Sequence, residues 1–120
     1  MILVIFEVTI KEGCTDDYLA AAAKLKEKLA EAKGFIRAER FQSLAEERKL
    51  LSLSVWENEE AVNEWRNLPE HRQRQQQGHD VLFESYTITI ASALRSYTET
   101  DRQEAPADST CITNCQKQNE

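Results

Sequence analysis

Residues able to act on a small molecule gather in the stretch Leu51 to Arg72, LSLSVWENEEAVNEWRNLPEHR. It carries Trp56, then Trp65 with Arg66 beside it, and His71 six residues beyond Trp65. A histidine titrates near neutral pH and serves as a general base or a ligand donor. Arg66, Arg72 and Arg74 could gather around an anion, tryptophans wall apolar pockets, and Tyr86 further on offers a hydroxyl. Each also has a plain structural use. Trp56 and Trp65 suit a core, and His71 suits a partly exposed site with a local hydrogen bond. His79 suits the turn at Gly78, and the arginines suit the solvated face of a Gln-rich helix.

The elements that must position these residues follow from changes of hydrophobic period. Met1 to Ile10 is β-branched and aromatic, with Phe6, Val8 and Ile10 alternating against Glu7, Thr9 and Lys11, which predicts a half-buried strand ended by Lys11-Glu12-Gly13. From Thr15, a candidate N-cap, the period becomes helical: Tyr18, Ala22, Leu25, Leu29 and Ala32 form one stripe, and Gly34 stands as a candidate C-cap. Phe35 to Leu44 and Lys49 to Trp56 predict two strands joined by the hydrophilic Ala45 to Arg48 connection. Asn58 opens a helix carrying Ala61, Val62 and Trp65, and Pro69 begins a further helical segment that Gly78 ends. A last strand is predicted from about Val81 to Arg95, with Tyr86, Ile88, Ile90 and Leu94 on one side.

The 120 residues, 41% apolar and 30% charged, suffice for one domain with a buried core. The net charge of −6 disfavours nucleic acid or an anionic membrane as partner and favours a small apolar or aromatic ligand. The apolar run Met1 to Phe6 is too short to span a membrane and lacks the basic start and cleavage site of a signal peptide, which predicts a cytoplasmic protein. Cys14, Cys111 and Cys115 match no common zinc or redox spacing, so neither a disulfide nor a metal site is expected.

Composition changes at Ser96. Residues 96–120 hold six apolar residues, and their five acids against two bases give −3, half of the net charge. Such a segment buries too little to offset its ordering entropy, so the domain is expected over residues 1–95, followed by an acidic tail that is disordered or pinned by a partner. The folded part is therefore closer to neutral than the whole chain.

The element order β-α-β-β-α-β is the ferredoxin-like α+β arrangement, an antiparallel four-stranded sheet with helices on one face. Leu50, Leu51, Leu53, Val55 and Trp56 share one strand, so both of its faces are apolar. A sheet apolar on both faces with helices on one predicts a two-fold homodimer.

The Leu51 to Arg72 stretch, with GFIRAERFQS upstream and the Gly78 to Arg95 strand downstream, closely resembles the antibiotic biosynthesis monooxygenase domain, a dimeric α+β barrel, over about residues 1–95. The family includes polyketide oxygenases, haem-degrading enzymes, signal-molecule isomerases and domains of unknown activity. Its cofactor-free oxygenases imply a substrate whose own anion passes an electron to O₂ in an apolar, water-poor pocket. On that implication His71 and Trp65 are the catalytic candidates, Phe6, Arg66, Tyr86 and Trp56 the substrate-binding ones, and no cofactor is called for. The haem-degrading branch has a first-strand asparagine, a helix tryptophan and a histidine ten residues later; here those positions hold Phe6, Trp65 and Gln75. The expected function is thus cofactor-independent monooxygenation of a small aromatic or quinol-type substrate. The alternatives are a non-catalytic small-molecule binding or stress-response dimer and, third, a haem enzyme.

Overall fold

The computed structural model of the chain describes residues 1–68 and 82–107. Its elements run β1 (Ile2–Ile10), α1 (Thr15–Leu29), β2 (Phe35–Gln42), β3 (Lys49–Trp56), α2 (Glu59–Arg66) and β4 (Phe83–Ser92). The four strands form one antiparallel sheet in the order β2-β3-β1-β4, the ferredoxin-like arrangement. The segment opened by Pro69, together with His71, Arg72, Arg74, Gln75 and His79, lies outside the described residues, as do Cys111 and Cys115.

Strand register decides which side chains meet the helices. Val8 pairs with Leu50 and Ile2 with Trp56, and all four belong to clusters that pack on α1 or α2. One cluster joins Val8, Ile10 and Leu50 to Tyr18 and Ala22 of α1. The other joins Trp56 to Ala61 and Val62 of α2, with Ile2, Val4 and Phe35 against it. Because side chains alternate along a strand, the helix-facing row of β3 reads Leu50, Ser52, Ser54, Trp56. Leu51, Leu53 and Val55 point to the opposite face, beside Leu3 and Ile5 of β1.

β2 changes phase partway. Phe35 pairs with Trp56, but Arg37 pairs with Val55, so Ile36 is an extra residue in a β-bulge. Before the bulge Phe35 faces the helices; after it Ala38, Arg40 and Gln42 do so, and Arg37, Glu39 and Phe41 turn away. β2 ends at Gln42 rather than Leu44. The reason is local: Ser43 Oγ accepts from the amides of Ala45 and Glu46, both at 3.2 Å, which closes a turn and leaves Leu44 fully exposed.

Helix ends follow their caps, with two corrections to the sequence reading. Asn58 caps α2 as expected, its side-chain oxygen accepting from Ala61 N at 2.9 Å. At α1 the N-cap is Cys14 and not Thr15: the Lys11–Gly13 turn closes through Cys14 N to Lys11 O, and Cys14 O takes the first helical bond from Tyr18 N. Gly34 does not cap α1 either. That helix ends with Ala30 as its C-cap, and Gly34 stands at the entry to β2 with φ +82°. A Cβ there would lie 2.6 Å from Ala61 Cβ, so the β2 entry and α2 approach more closely than any side chain permits.

β4 begins at Phe83 and ends at Ser92, short of Arg95. Beyond it residues 96–107 make local contacts: Asp101 N donates to Thr98 Oγ1 at 2.8 Å and the Arg102 guanidinium lies 5.2 Å from the Tyr97 ring centroid. Among the described residues no helix is long and apolar enough to cross a membrane.

The Gly34–Ala61 contact and the positive φ act together against any side chain. Gly34→Ala is expected to destabilise the fold by about 2–3 kcal/mol, against about 1 kcal/mol for Asn58→Ala, which loses only the cap. Urea denaturation of both variants checks this ranking.

Candidate functional site

The two apolar clusters leave a gap between them. On the helix-facing row of β3, Leu50 belongs to one cluster and Trp56 to the other, while Ser52 and Ser54 stand between them. A serine fills far less space than a leucine, so α1 arches over the sheet without closing on it. The result is a cavity of about 200 Å³ with a mostly apolar lining. Its floor is Phe6 of β1, Ala38 and Arg40 of β2, and Ser52 and Ser54 of β3. Ala21, Ala22, Leu25 and Leu29 of α1 form the roof, and Trp65, Leu82 and Phe83 close the sides. The engineered cavity that takes a benzene measures about 150 Å³, so this one suits a ring with a short substituent.

Aromatic rings set one wall. Phe6 lies 5.7 Å from Phe83 and 5.6 Å from Tyr86, and Tyr18 of α1 packs on Phe83 at 5.6 Å, edge to face. At the other end Trp65 lies 6.2 Å from Trp56. Trp56 itself is 1% exposed, and its indole N–H donates to Ser54 Oγ at 2.9 Å. That bond satisfies a buried donor and fixes the serine rotamer at the cavity floor.

The structure brings Phe6 and Trp65 to the cavity. Tyr86 stands behind Phe6 on the edge strand β4, half exposed, and is in ring contact with both Phe6 and Phe83. Trp56 is beneath the lining and reaches the cavity through Ser54. Arg66, in the last turn of α2, is exposed and does not line it. His71 lies outside the described residues.

Arg40 is the site residue that sequence reasoning missed. It lines the cavity from β2, opposite Ser52, and its guanidinium lies 5.7 Å from the Tyr18 ring centroid in a cation–π contact. Its Nε is buried with no hydrogen-bond partner, and among the described residues no carboxylate pairs with it. Lys26 of α1 also borders the cavity. Glu39 is the acid in the lining, and its register turns its side chain to the opposite face of the sheet. A buried charged donor without an acceptor costs roughly 1–3 kcal/mol or more, so Arg40 fits a site built for something other than stability. Among the described residues no cluster of His, Cys, Asp or Glu could hold a metal ion.

The sequence model of one family, antibiotic biosynthesis monooxygenase, matches residues 1–77 of the chain. The chain belongs to this family. A jasmonate monooxygenase from Pyricularia oryzae is 34% identical over 96 residues, covering 80% of the chain and 45% of that protein. The chain thus spans about half the length of this curated relative. Two solved structures share the fold. SnoaB from Streptomyces nogalater, a cofactor-independent oxygenase, superposes with a TM-score of 0.69 at 14% identity over 79% of this chain and 94% of its own. Rv0793 from Mycobacterium tuberculosis gives 0.72 at 14% identity, over 81% and 98%. Within the antibiotic biosynthesis monooxygenase domain of this chain, the matched residues include five of the six cavity-lining elements, β1 to α2.

Removing the Ser54 hydroxyl leaves the Trp56 indole N–H buried without an acceptor. Ser54→Ala is therefore expected to cost about 1–3 kcal/mol, more than an ordinary surface substitution, and to alter Trp fluorescence; chemical denaturation followed at the indole band measures both.

Proposed function

We propose that this chain is a monooxygenase that oxidises a small aromatic or quinol-type substrate with O₂, using neither metal nor flavin, in the cavity between α1 and the sheet. What supports this reading most is the cavity: a partly open, mostly apolar space of about 200 Å³ with rings at both ends, in a member of a monooxygenase family. Triplet O₂ reacts slowly with closed-shell molecules, so a substrate without a redox cofactor must supply the electrons itself. An acidic phenol or anthrone does so after losing a proton. Its anion passes an electron to O₂; one oxygen atom then ends in the product carbonyl and the other leaves as water, all electrons coming from the substrate. An apolar site favours this by keeping water from the reactive anion.

In this reading His71 takes the substrate proton, and Trp65 and Phe6 hold the ring, with Tyr86 behind Phe6. Trp56 acts by positioning Ser54. Arg66 has no place in the lining, so its proposed contact with substrate is the weakest of the set. A haem enzyme fits poorly, because the first-strand position is the apolar ring of Phe6 and the position ten residues after Trp65 holds Gln75. SnoaB, a cofactor-independent oxygenase of the same fold, supports the absence of a cofactor, and the Pyricularia monooxygenase supports the class of reaction.

We also propose that two copies pair through the sheet face turned away from the helices. Leu3, Ile5, Leu51 and Leu53 form a contiguous half-buried apolar patch there beside the buried Val55, and among the described residues no helix covers it. Sedimentation at micromolar concentration is expected to show twice 13.8 kDa, and Leu53→Glu to shift it to the single mass; a wild type that sediments only at 13.8 kDa contradicts pairing.

Oxygen uptake with a panel of anthrones, hydroquinones and phenols tests the activity. The expected result is uptake with at least one substrate, lowered about 100-fold or more by His71→Ala, with Trp65→Phe acting mainly on KM. No uptake with any substrate would favour a non-catalytic binding module. Equal uptake in wild type and both variants would remove His71 and Trp65 from the chemistry.

A further inference from the structure

We infer that the cavity ligand is a small organic carboxylate, an apolar or aromatic body with one carboxyl group, and that Arg40 is the residue that selects it. The inference rests on the cavity being the substrate site of the preceding reading and names the substrate class for it.

Four observations carry it. Arg40 lines the cavity, yet its Nε is buried and makes no hydrogen bond. No carboxylate of the described residues neutralises it, and the side chain of Glu39, the acid in the lining, is turned to the other face of the sheet. The guanidinium lies 5.7 Å from the Tyr18 ring centroid, a contact that holds it at the cavity wall. Finally, the charge at the site opposes that of the chain: two cations, Arg40 and Lys26, border the cavity of a protein whose net charge is −6.

The rest of the lining narrows the class of anion. A guanidinium presents a planar fork that matches a carboxylate through two parallel hydrogen bonds. Ser52, paired with Arg40 across the strands, adds one hydroxyl donor beside it. Lys26, Tyr18, Ser54 and Trp65 also line the cavity, but most of its wall, Ala21, Ala22, Leu25, Leu29 and the rings of Phe6 and Phe83, is apolar, which suits a singly charged carboxylate on an apolar body better than a more highly charged phosphate ester. Those walls suit the apolar body, and the cavity volume holds one ring with a short chain. Arg40 is thus a binding residue that sets both orientation and charge preference.

The test compares 3-phenylpropionate, 4-phenylbutyrate and octanoate with their neutral primary amides, which keep the shape and lose the charge. Binding to the full chain is followed by calorimetry and by Trp fluorescence. The expected result is that at least one acid binds tenfold or more tightly than its amide. Arg40→Gln should erase that preference, and Arg40→Lys should keep a part of it, with circular dichroism and melting showing both variants folded. Acid and amide binding alike, no member of the panel binding at millimolar concentration, or a preference that survives Arg40→Gln would each overturn the inference. The readout needs no turnover, so the two readings fail separately. A carboxylate preference without oxygen uptake removes the oxygenase and keeps the anion site; uptake with neutral phenols and no carboxylate preference does the reverse.

Discussion

The alternation of side chains along β3 is the constraint on which the site depends. A strand under helices ordinarily turns its larger apolar residues toward them and its polar ones to water. Here the helix-facing row is Leu50, Ser52, Ser54, Trp56, and the row facing away is Leu51, Leu53, Val55. Only the ends of the inward row reach a core cluster. The middle is two small hydroxyl side chains on a central strand, where a close-packed interior would put branched aliphatics. The same alternation therefore opens a cavity on one side and presents an apolar patch on the other. A one-residue slip of register would exchange the two rows and send Trp56 to the wrong face.

A second local feature supplies the cavity with its charge. Without the bulge at Ile36, the face that holds Phe35 would go on to Arg37, Glu39 and Phe41, and Arg40 would point away from the helices. The extra residue inverts the phase, turning Phe41 out and Arg40 in, beside Ser52 and over Tyr18. Bulges often re-aim side chains in this way next to functional sites. The Gly34 entry and its close approach to Ala61 fix the start of the same strand, so the position of Arg40 depends on backbone geometry at both points.

These features explain what could be read from the sequence and what could not. Element type and order were legible because each period persisted long enough: Phe6-Val8-Ile10 for a strand, Tyr18-Ala22-Leu25-Leu29 for a helix, Asn58 before Glu59-Glu60 for a helix start. The apolar excess of β3 was also visible in Leu50 to Trp56. Helix ends were less legible, since Cys14 caps through backbone geometry that its side chain does not advertise, and Gly34 looks like a C-cap while serving a close contact. Arg40 was the least legible. A charged residue on a strand reads as solvent-facing, and only the pairing of β2 with β3 shows the phase change that reverses this. Trp56 and Arg66 stood as substrate-binding candidates beside the catalytic candidate Trp65, yet one is beneath the lining and the other outside it.

If the small inward side chains of β3 exist to hold a ligand, filling their space should cost function and not stability. Ser52→Leu adds a branched side chain into the cavity beside Arg40, where room is already present. Thermal unfolding and oxygen uptake of this one variant, measured against wild type, test the account most directly. The account predicts a melting temperature unchanged or raised, because apolar volume enters an existing void, together with loss of turnover. A marked fall in melting temperature, or turnover that persists with the cavity filled, would contradict it.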